Sequence, residues 1–202
     1  MIKTIIFDFG DVFVNLDKPA TLREMEKFEI NELSSATQKL NQQYEKGLIS
    51  SEAFIKHYQK EYSGLEKTDV LNSWNAVLVD FPKYRFEFLK KLSEEKAYQL
   101  ILLSNTNEIH IDWIKENVAF FEEFKSYFDA FYLSHEINFR KPDAEIYEFV
   151  LNKHDLKPEE CLFIDDTQEN TGAAEALGIH TWNIDPTKED VINLFTAKEN
   201  LF

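Results

Sequence analysis

Five short apolar runs, each ending on or beside a polar residue, constrain this chain more than any other feature. They are TIIFDF (4–9), YQLILLS (98–104), AFYLS (130–134), CLFID (161–165) and HTWNI (180–184). Runs this short and this continuously apolar read as strands buried on both faces. Helical spacing fills the gaps. YRFEFLKKL precedes the second run, EIHIDWIKENV follows it, DAEIYEFVLNKH follows the third, and NTGAAEALG follows the fourth and closes on Gly178 as a C-terminal cap. Pro142 and Pro158 stand where first helical turns begin. Alternating strand and helix predicts an α/β fold, a parallel sheet with helices on both faces.

Residues 16–81 break the rhythm. PATLREMEKF, ATQKLNQQYEKG, SSEAFIKHYQKEY and TDVLNSWNAVL all carry helical spacing, and no strand is expected among them. The reading is an all-helical insert at 16–81, spliced into a core formed by 1–15 and 82–202. A chain of 202 residues is the right size for one large domain or a core plus an insert.

Charge narrows the partners. Lys and Arg total 22 against 37 Asp and Glu, which gives 22 − 37 = −15. With no basic patch beyond an isolated pair at 90–91, nucleic acid and anionic membranes are poor partners. An anionic substrate would need a metal to help it bind. Cys161 is the only cysteine, so no intrachain disulfide forms and a reducing compartment suits the chain. The N-terminus meets Asp8 too early for a signal peptide, and no run is long enough to span a bilayer. A soluble cytoplasmic protein, monomer or homodimer, is expected.

The chemistry gathers at strand ends. In an open parallel sheet, ligands bind outside the carboxyl ends of the strands. Asp8 ends the first run, Ser104 and Asn105 the second, and Asp165 and Asp166 the fourth; Lys141 follows the third within RKP. Any one of these alone is an ordinary cap or turn residue. Capping does not explain why four strand ends carry complementary groups. Carboxylates from two strands can share Mg²⁺, which takes hard oxygen ligands. A lysine can offset both a carboxylate and developing phosphoryl charge, and an aspartate can itself attack phosphorus.

Four stretches, FDFGDV (7–12), LLSNTN (102–107), RKPDAEIY (140–147) and FIDDTQEN (163–170), resemble the motifs of the haloacid dehalogenase (HAD) superfamily in order and spacing. YEKGLISSEAF (44–54) resembles a recurring stretch of that family's four-helix cap. The nearest likeness is to small bacterial phosphatases acting on α-D-glucose 1-phosphate and related sugar phosphates, whose first motif also carries glycine two positions after the nucleophile. The resemblance implies a Rossmann-like core, sheet order 5-4-1-2-3, with the cap inserted after strand one. It implies a Mg²⁺-dependent phosphatase working through an aspartyl-phosphate on a small phosphorylated metabolite such as glucose 1-phosphate. Asp8 becomes nucleophile and metal ligand. Asp166 is the main ligand from the fourth motif, with Asp165 coordinating directly or through water, and Gly10 offers its backbone carbonyl. Ser104 and Asn105 bind the phosphoryl group, Lys141 steadies it against Asp8, and Asn170 supports from behind.

One departure matters. Many relatives carry an aspartate two residues after the nucleophile as general acid and base; Gly10 stands there. Losing such a group costs about two to four orders of magnitude in rate, and good leaving groups tolerate that loss best. An anomeric or acyl phosphate is therefore expected to be a more natural substrate than a simple alkyl phosphate. Asp11 falls one residue late, and its expected role is turn formation, since Asp tolerates unusual backbone angles. Two other readings remain. A metal-free 2-haloacid dehalogenase would leave Asp165 and Asp166 uncompensated beside Asp8. A non-enzymatic phosphosugar binder would explain Gly10 but not the retained acids and lysine. Trp74 and Tyr44 are expected in the core of the helical bundle, His110 and His135 as helix or surface residues, and Cys161 as inert packing. Asn107 ranks below Ser104 as a site residue.

Overall fold

The computed structural model describes residues 1–202. The chain opens with β1 (Thr4–Phe7) and a short β2 (Asn15–Leu16). Four helices follow, α1 (Ala20–Met25), α2 (Ser35–Glu45), α3 (Ser51–Glu61) and α4 (Lys67–Asn75), and then β3 (Leu78–Asp80). The rest runs α5 (Lys83–Glu95), β4 (Gln99–Ser104), α6 (Glu108–Asn117), α7 (Phe121–Ser126), β5 (Ala130–Leu133) and α8 (Ser134–Ile137). It ends with α9 (Ala144–Lys153), β6 (Cys161–Asp165), α10 (Gln168–Glu175), β7 (His180–Asn183) and α11 (Leu194–Ala197).

The five apolar runs are the five strands of one sheet, ordered β5-β4-β1-β6-β7 and parallel throughout. Counting only these five strands and reading from the β7 edge, the order is 5-4-1-2-3. Their alternate residues serve two cores, as the two-residue period of a strand requires. Ile5, Phe7, Leu100, Leu102, Leu162 and Ile164 pack beneath α5, α6 and α7. Ile6, Ile101, Leu103 and Phe163 face α9 and α10 instead. β1 lies at the centre, with Phe7 opposite Leu102 on one side and Ile164 on the other. The carboxyl ends of β1, β4 and β6 therefore open onto one edge, and Asp8 is fixed there by its N–H donating to the Ile164 carbonyl at 2.8 Å.

Three expectations need correction. The first run was expected to stay extended to Phe9; the strand stops at Phe7, and a turn closed by Val14 N–H to the Phe9 carbonyl (3.1 Å) follows. The insert is not all helix, because β2 and β3 pair antiparallel at its two ends, Asn15 opposite Asp80 and Leu16 opposite Leu78. Strands of two and three residues leave no periodic signal; they form because closing the insert brings its ends together. Pro142 lies outside α9, which starts at Ala144, whereas Pro158 does open a 3₁₀ turn over Pro158–Glu160.

Helices α1–α4 bury their own core of Met25, Tyr44, Phe54, Tyr58, Val70 and Trp74, with Tyr44 stacked on Phe54 at 4.3 Å. Ser34 and Ser50 cap α2 and α3, as their positions before the apolar spacing suggest. No helix is long and apolar enough to cross a membrane.

Candidate active site

The centre of the site is the side chain of Lys141. It is buried, and its three N–H groups have three acceptors: Asp8 Oδ1 at 2.7 Å, Asp165 Oδ2 at 2.6 Å and the Leu103 carbonyl at 2.8 Å. An ammonium has three donors, so none is left for a ligand. Lys141 acts on a ligand through charge. Burial works against the ammonium, but Asp165 and Asp8 outweigh it and raise its pKa above the ordinary lysine value. Burial pushes the Asp8 carboxyl up to about 7, with Lys141 pulling it down and Asp165 adding to the rise.

Asp165 is completely enclosed. Besides Lys141 it accepts from Thr167 N–H (2.8 Å) and the Asn170 amide (3.0 Å) at Oδ1. Both of its oxygens are used, so it anchors Lys141 and the start of α10, and Asn170 stands behind it as expected. Asp166 is different: its Oδ2 meets the ammonium of Lys18, which also reaches Asp11 Oδ2 at 3.2 Å. Burial raises the Asp166 pKa, and Lys18 offsets part of the rise.

A cavity of about 570 Å³ is lined by Asp8, Gly10, Lys18, Lys141 and Asp166, with Glu45 and Arg140 at its side. A neighbouring cavity of about 200 Å³ contains Ser104, Asn107 and His110. Gly10, Leu16, Glu45 and Asn105 line both. Ser104 thus lies beside the cavity holding Asp8 and Lys141, within the smaller one. The Asn105 amide pairs with the Lys141 backbone, accepting from its N–H and donating to its carbonyl, both at 2.9 Å. This side chain positions Lys141, and it keeps a second amide N–H while lining the cavity with Asp8.

Gly10 has a local reason. A Cβ built there would sit 2.6 Å from Leu16 Cδ1, so a side chain at this position would require the end of Leu16 to move. Asp11 adopts φ 54° and accepts the Leu16 N–H at 3.0 Å, which makes it the turn former expected. Asn107 caps α6 and accepts the Trp74 indole N–H at 3.2 Å. His110 is locked in place, its ring stacked on Trp74 and its Nε2 donating to the Trp74 carbonyl, and burial drops its pKa to about 4. It is neutral and has no free proton to offer.

The sequence reading missed Lys18, Glu45, Arg140 and Leu16. Lys18 and Leu16 precede α1 and Glu45 closes α2, so only the docking of the insert brings them to the site. Arg140 stood in plain view within RKP.

The metal question rests on the donor set. Asp8, Asp165 and Asp166 each offer an oxygen, all within 4.8 Å of one another. Two lysines balance only part of the negative charge around them. An all-oxygen anionic set of this kind fits a hard divalent cation such as Mg²⁺. Asp165 already accepts from Lys141, Thr167 N–H and Asn170, whereas Asp8 meets Lys141 through Oδ1 and Asp166 meets Lys18 through Oδ2.

A parallel sheet with an acid, a lysine and a second acid pair converging at its carboxyl edge defines a hydrolase of the haloacid dehalogenase type, and the chain belongs to that family: the haloacid dehalogenase-like hydrolase pattern matches residues 2–178. Among individual relatives, D-ribitol-5-phosphate phosphatase of Bacteroides thetaiotaomicron is 29% identical over 196 residues, covering 90% of this chain and 91% of its own. A HAD family enzyme from Bacteroides thetaiotaomicron, solved with magnesium and inorganic phosphate, superposes with TM-score 0.84 at 33% identity over 96% of this chain and 100% of its own. A HAD-like family hydrolase from Porphyromonas gingivalis gives TM-score 0.82 at 28% identity, over 98% and 97%.

Proposed function

We propose that the protein is a Mg²⁺-dependent phosphatase that cleaves a small, hydroxylated phosphate monoester, and that α1–α4 act as a cap over the site. The observation that carries this reading is the buried Asp8–Lys141–Asp165 unit with Asp166 beside it at the mouth of one cavity. Lys141 holds Asp8 Oδ1 and leaves Oδ2 to attack phosphorus. The new O–P bond gives an aspartyl-phosphate, the substrate's ester oxygen leaves, and water then releases phosphate and regenerates Asp8. Mg²⁺, when bound by Asp8 and Asp166, supplies charge to the phosphoryl oxygens. Lys141 keeps Asp8 oriented and offsets its charge through both steps.

Gly10 bears on the substrate. With glycine at position 10 there is no side-chain acid, and the leaving oxygen takes its proton from solvent. That favours anomeric phosphates such as glucose 1-phosphate. A second reading, a pentitol 5-phosphate, is supported by the likeness to the D-ribitol-5-phosphate phosphatase relative. The dehalogenase alternative is disfavoured by the three carboxylates Asp8, Asp165 and Asp166 gathered within 4.8 Å, a donor set that suits a cation and that metal-free displacement does not need. A panel of hexose 1-phosphates, pentitol 5-phosphates and acetyl phosphate with Mg²⁺, repeated with EDTA and with Asp8→Asn, tests the proposal. Loss of turnover under both treatments is expected. Unchanged turnover in Asp8→Asn would remove the nucleophile assignment.

A further inference from the structure

Resting on the phosphatase reading, we infer that Glu45 is a charge filter: it admits monoesters with neutral, hydroxylated leaving groups and excludes those with a second anionic group. Glu45 lines both cavities, as do Gly10, Leu16 and Asn105, so a leaving group that extends from Asp8 toward the smaller cavity passes it. Its position is fixed by the backbone around it. The Glu45 carbonyl accepts the Ser134 hydroxyl at 2.6 Å, and the Lys46 carbonyl accepts the Asn138 amide at 2.8 Å. Lys46 also pairs with Asp143 at 2.6 Å. Gly47 follows at φ 66°, pressed so close to the His135 carbonyl that a Cβ would lie 2.0 Å from the oxygen. The end of α2 is thereby seated on the segment that carries Lys141.

The cations of the large cavity explain the selection. There are three, and each already has a carboxylate partner: Lys141 has Asp8 and Asp165, Lys18 has Asp11 and Asp166, and Arg140 has Glu45. Glu169 adds a further negative charge to the lining. A substrate's one phosphoryl group can be met by metal and Lys141. A second phosphate or a carboxylate would meet Glu45 and no unpaired cation, and like-charge juxtaposition disfavours its binding. Hydroxyls suit the same place, because they donate to a carboxylate: Arg140 takes Glu45 Oε2, which leaves Oε1 as an acceptor. This is selection by repulsion as much as by attraction.

Glu45→Gln removes the repelling charge and also frees Arg140 to hold a carboxylate. Arg140→Gln leaves the Glu45 charge unopposed. The two changes break the same ion pair, so a purely structural role would move selectivity the same way in both. The filter instead predicts opposite directions. The experiment measures kcat/KM with Mg²⁺ for glucose 1-phosphate, ribitol 5-phosphate, 2-phosphoglycolate and fructose 1,6-bisphosphate in the wild type and both variants. Binding of the same four ligands to Asp8→Asn protein, with and without Glu45→Gln, gives a readout that needs no turnover. The expected result is that Glu45→Gln shifts the anionic-to-neutral ratio toward 2-phosphoglycolate by about tenfold or more, while Arg140→Gln lowers it. A ratio that stays within twofold in Glu45→Gln, or that moves the same way in both variants, overturns the filter. Wild-type preference for 2-phosphoglycolate or the bisphosphate does so too. If no ester is hydrolysed but binding to the Asp8→Asn proteins follows the expected ratio, the filter stands and the catalytic reading falls.

Discussion

Lys141→Met is the most informative single change. The methionine keeps most of the volume but removes an ammonium that is fully buried between Asp8 and Asp165 and bonded also to the Leu103 carbonyl. Two buried carboxylates then face each other without a cation. Breaking a buried ion pair from one side costs about 3–5 kcal/mol. For a chain of this size each kcal/mol moves Tm by about 2–4 °C, so the metal-free protein should melt roughly 6–20 °C lower at pH 8. The loss should shrink at pH 5. Asp8 already has its pKa raised to about 7 with Lys141 present; without that partner it ionises less readily still, and the neutral acid needs no counter-charge. Circular dichroism melts at both pH values, with EDTA, test the reasoning. A fall below about 2 °C at pH 8, or the same fall at pH 5, would refute the claim that charge compensation is what Lys141 provides.

Three further outcomes follow from the same geometry. Because the Asp8 pKa is raised in the folded protein, protonated Asp8 contributes stability that is full below the ordinary carboxylate value near 3.8 and is lost as pH rises through about 7; metal-free melting temperature should therefore fall from pH 5 to pH 8. Mg²⁺ competes with that proton, so its affinity by titration calorimetry should rise with pH by up to about tenfold per unit and level off above about 7; a pH-independent affinity would exclude Asp8 as a ligand. Asp11→Ala should lower stability by about 1–2 kcal/mol through the strained φ and the lost Leu16 N–H acceptor, and Asp11→Asn by much less, since Asn tolerates the left-handed region; equal urea midpoints for the two would remove the turn role.

Much of the site was readable because catalytic residues in this fold sit beside strands, and strands announce themselves. Asp8, Ser104, Asp165 and Asp166 each stand at or next to the end of an apolar run, and the sheet order brings those ends together. Asp11 was readable as a turn former from its residue type and offset. Roles were less legible than places. Asn105 and Asp165 look like ligand-binding groups in the sequence, yet both also hold Lys141 in place. Nothing local distinguishes a carboxylate that meets solvent from one enclosed by an ammonium, a backbone N–H and an amide.

The sequence by itself determined the alternation of strand and helix, the interrupting helical segment and the polar groups at strand ends, because these depend on periodicity and on residues a few positions apart. Tertiary structure decided the rest. It placed the end of Leu16 against Gly10, where an added side chain would have to displace it. It brought Lys18 to Asp166 across 148 residues and Glu45 to Arg140 across 95. It also paired β2 with β3, strands too short to form alone. Contacts between segments so far apart depend on how the insert docks, and docking is a property of complementary surfaces that no run of neighbouring residues encodes.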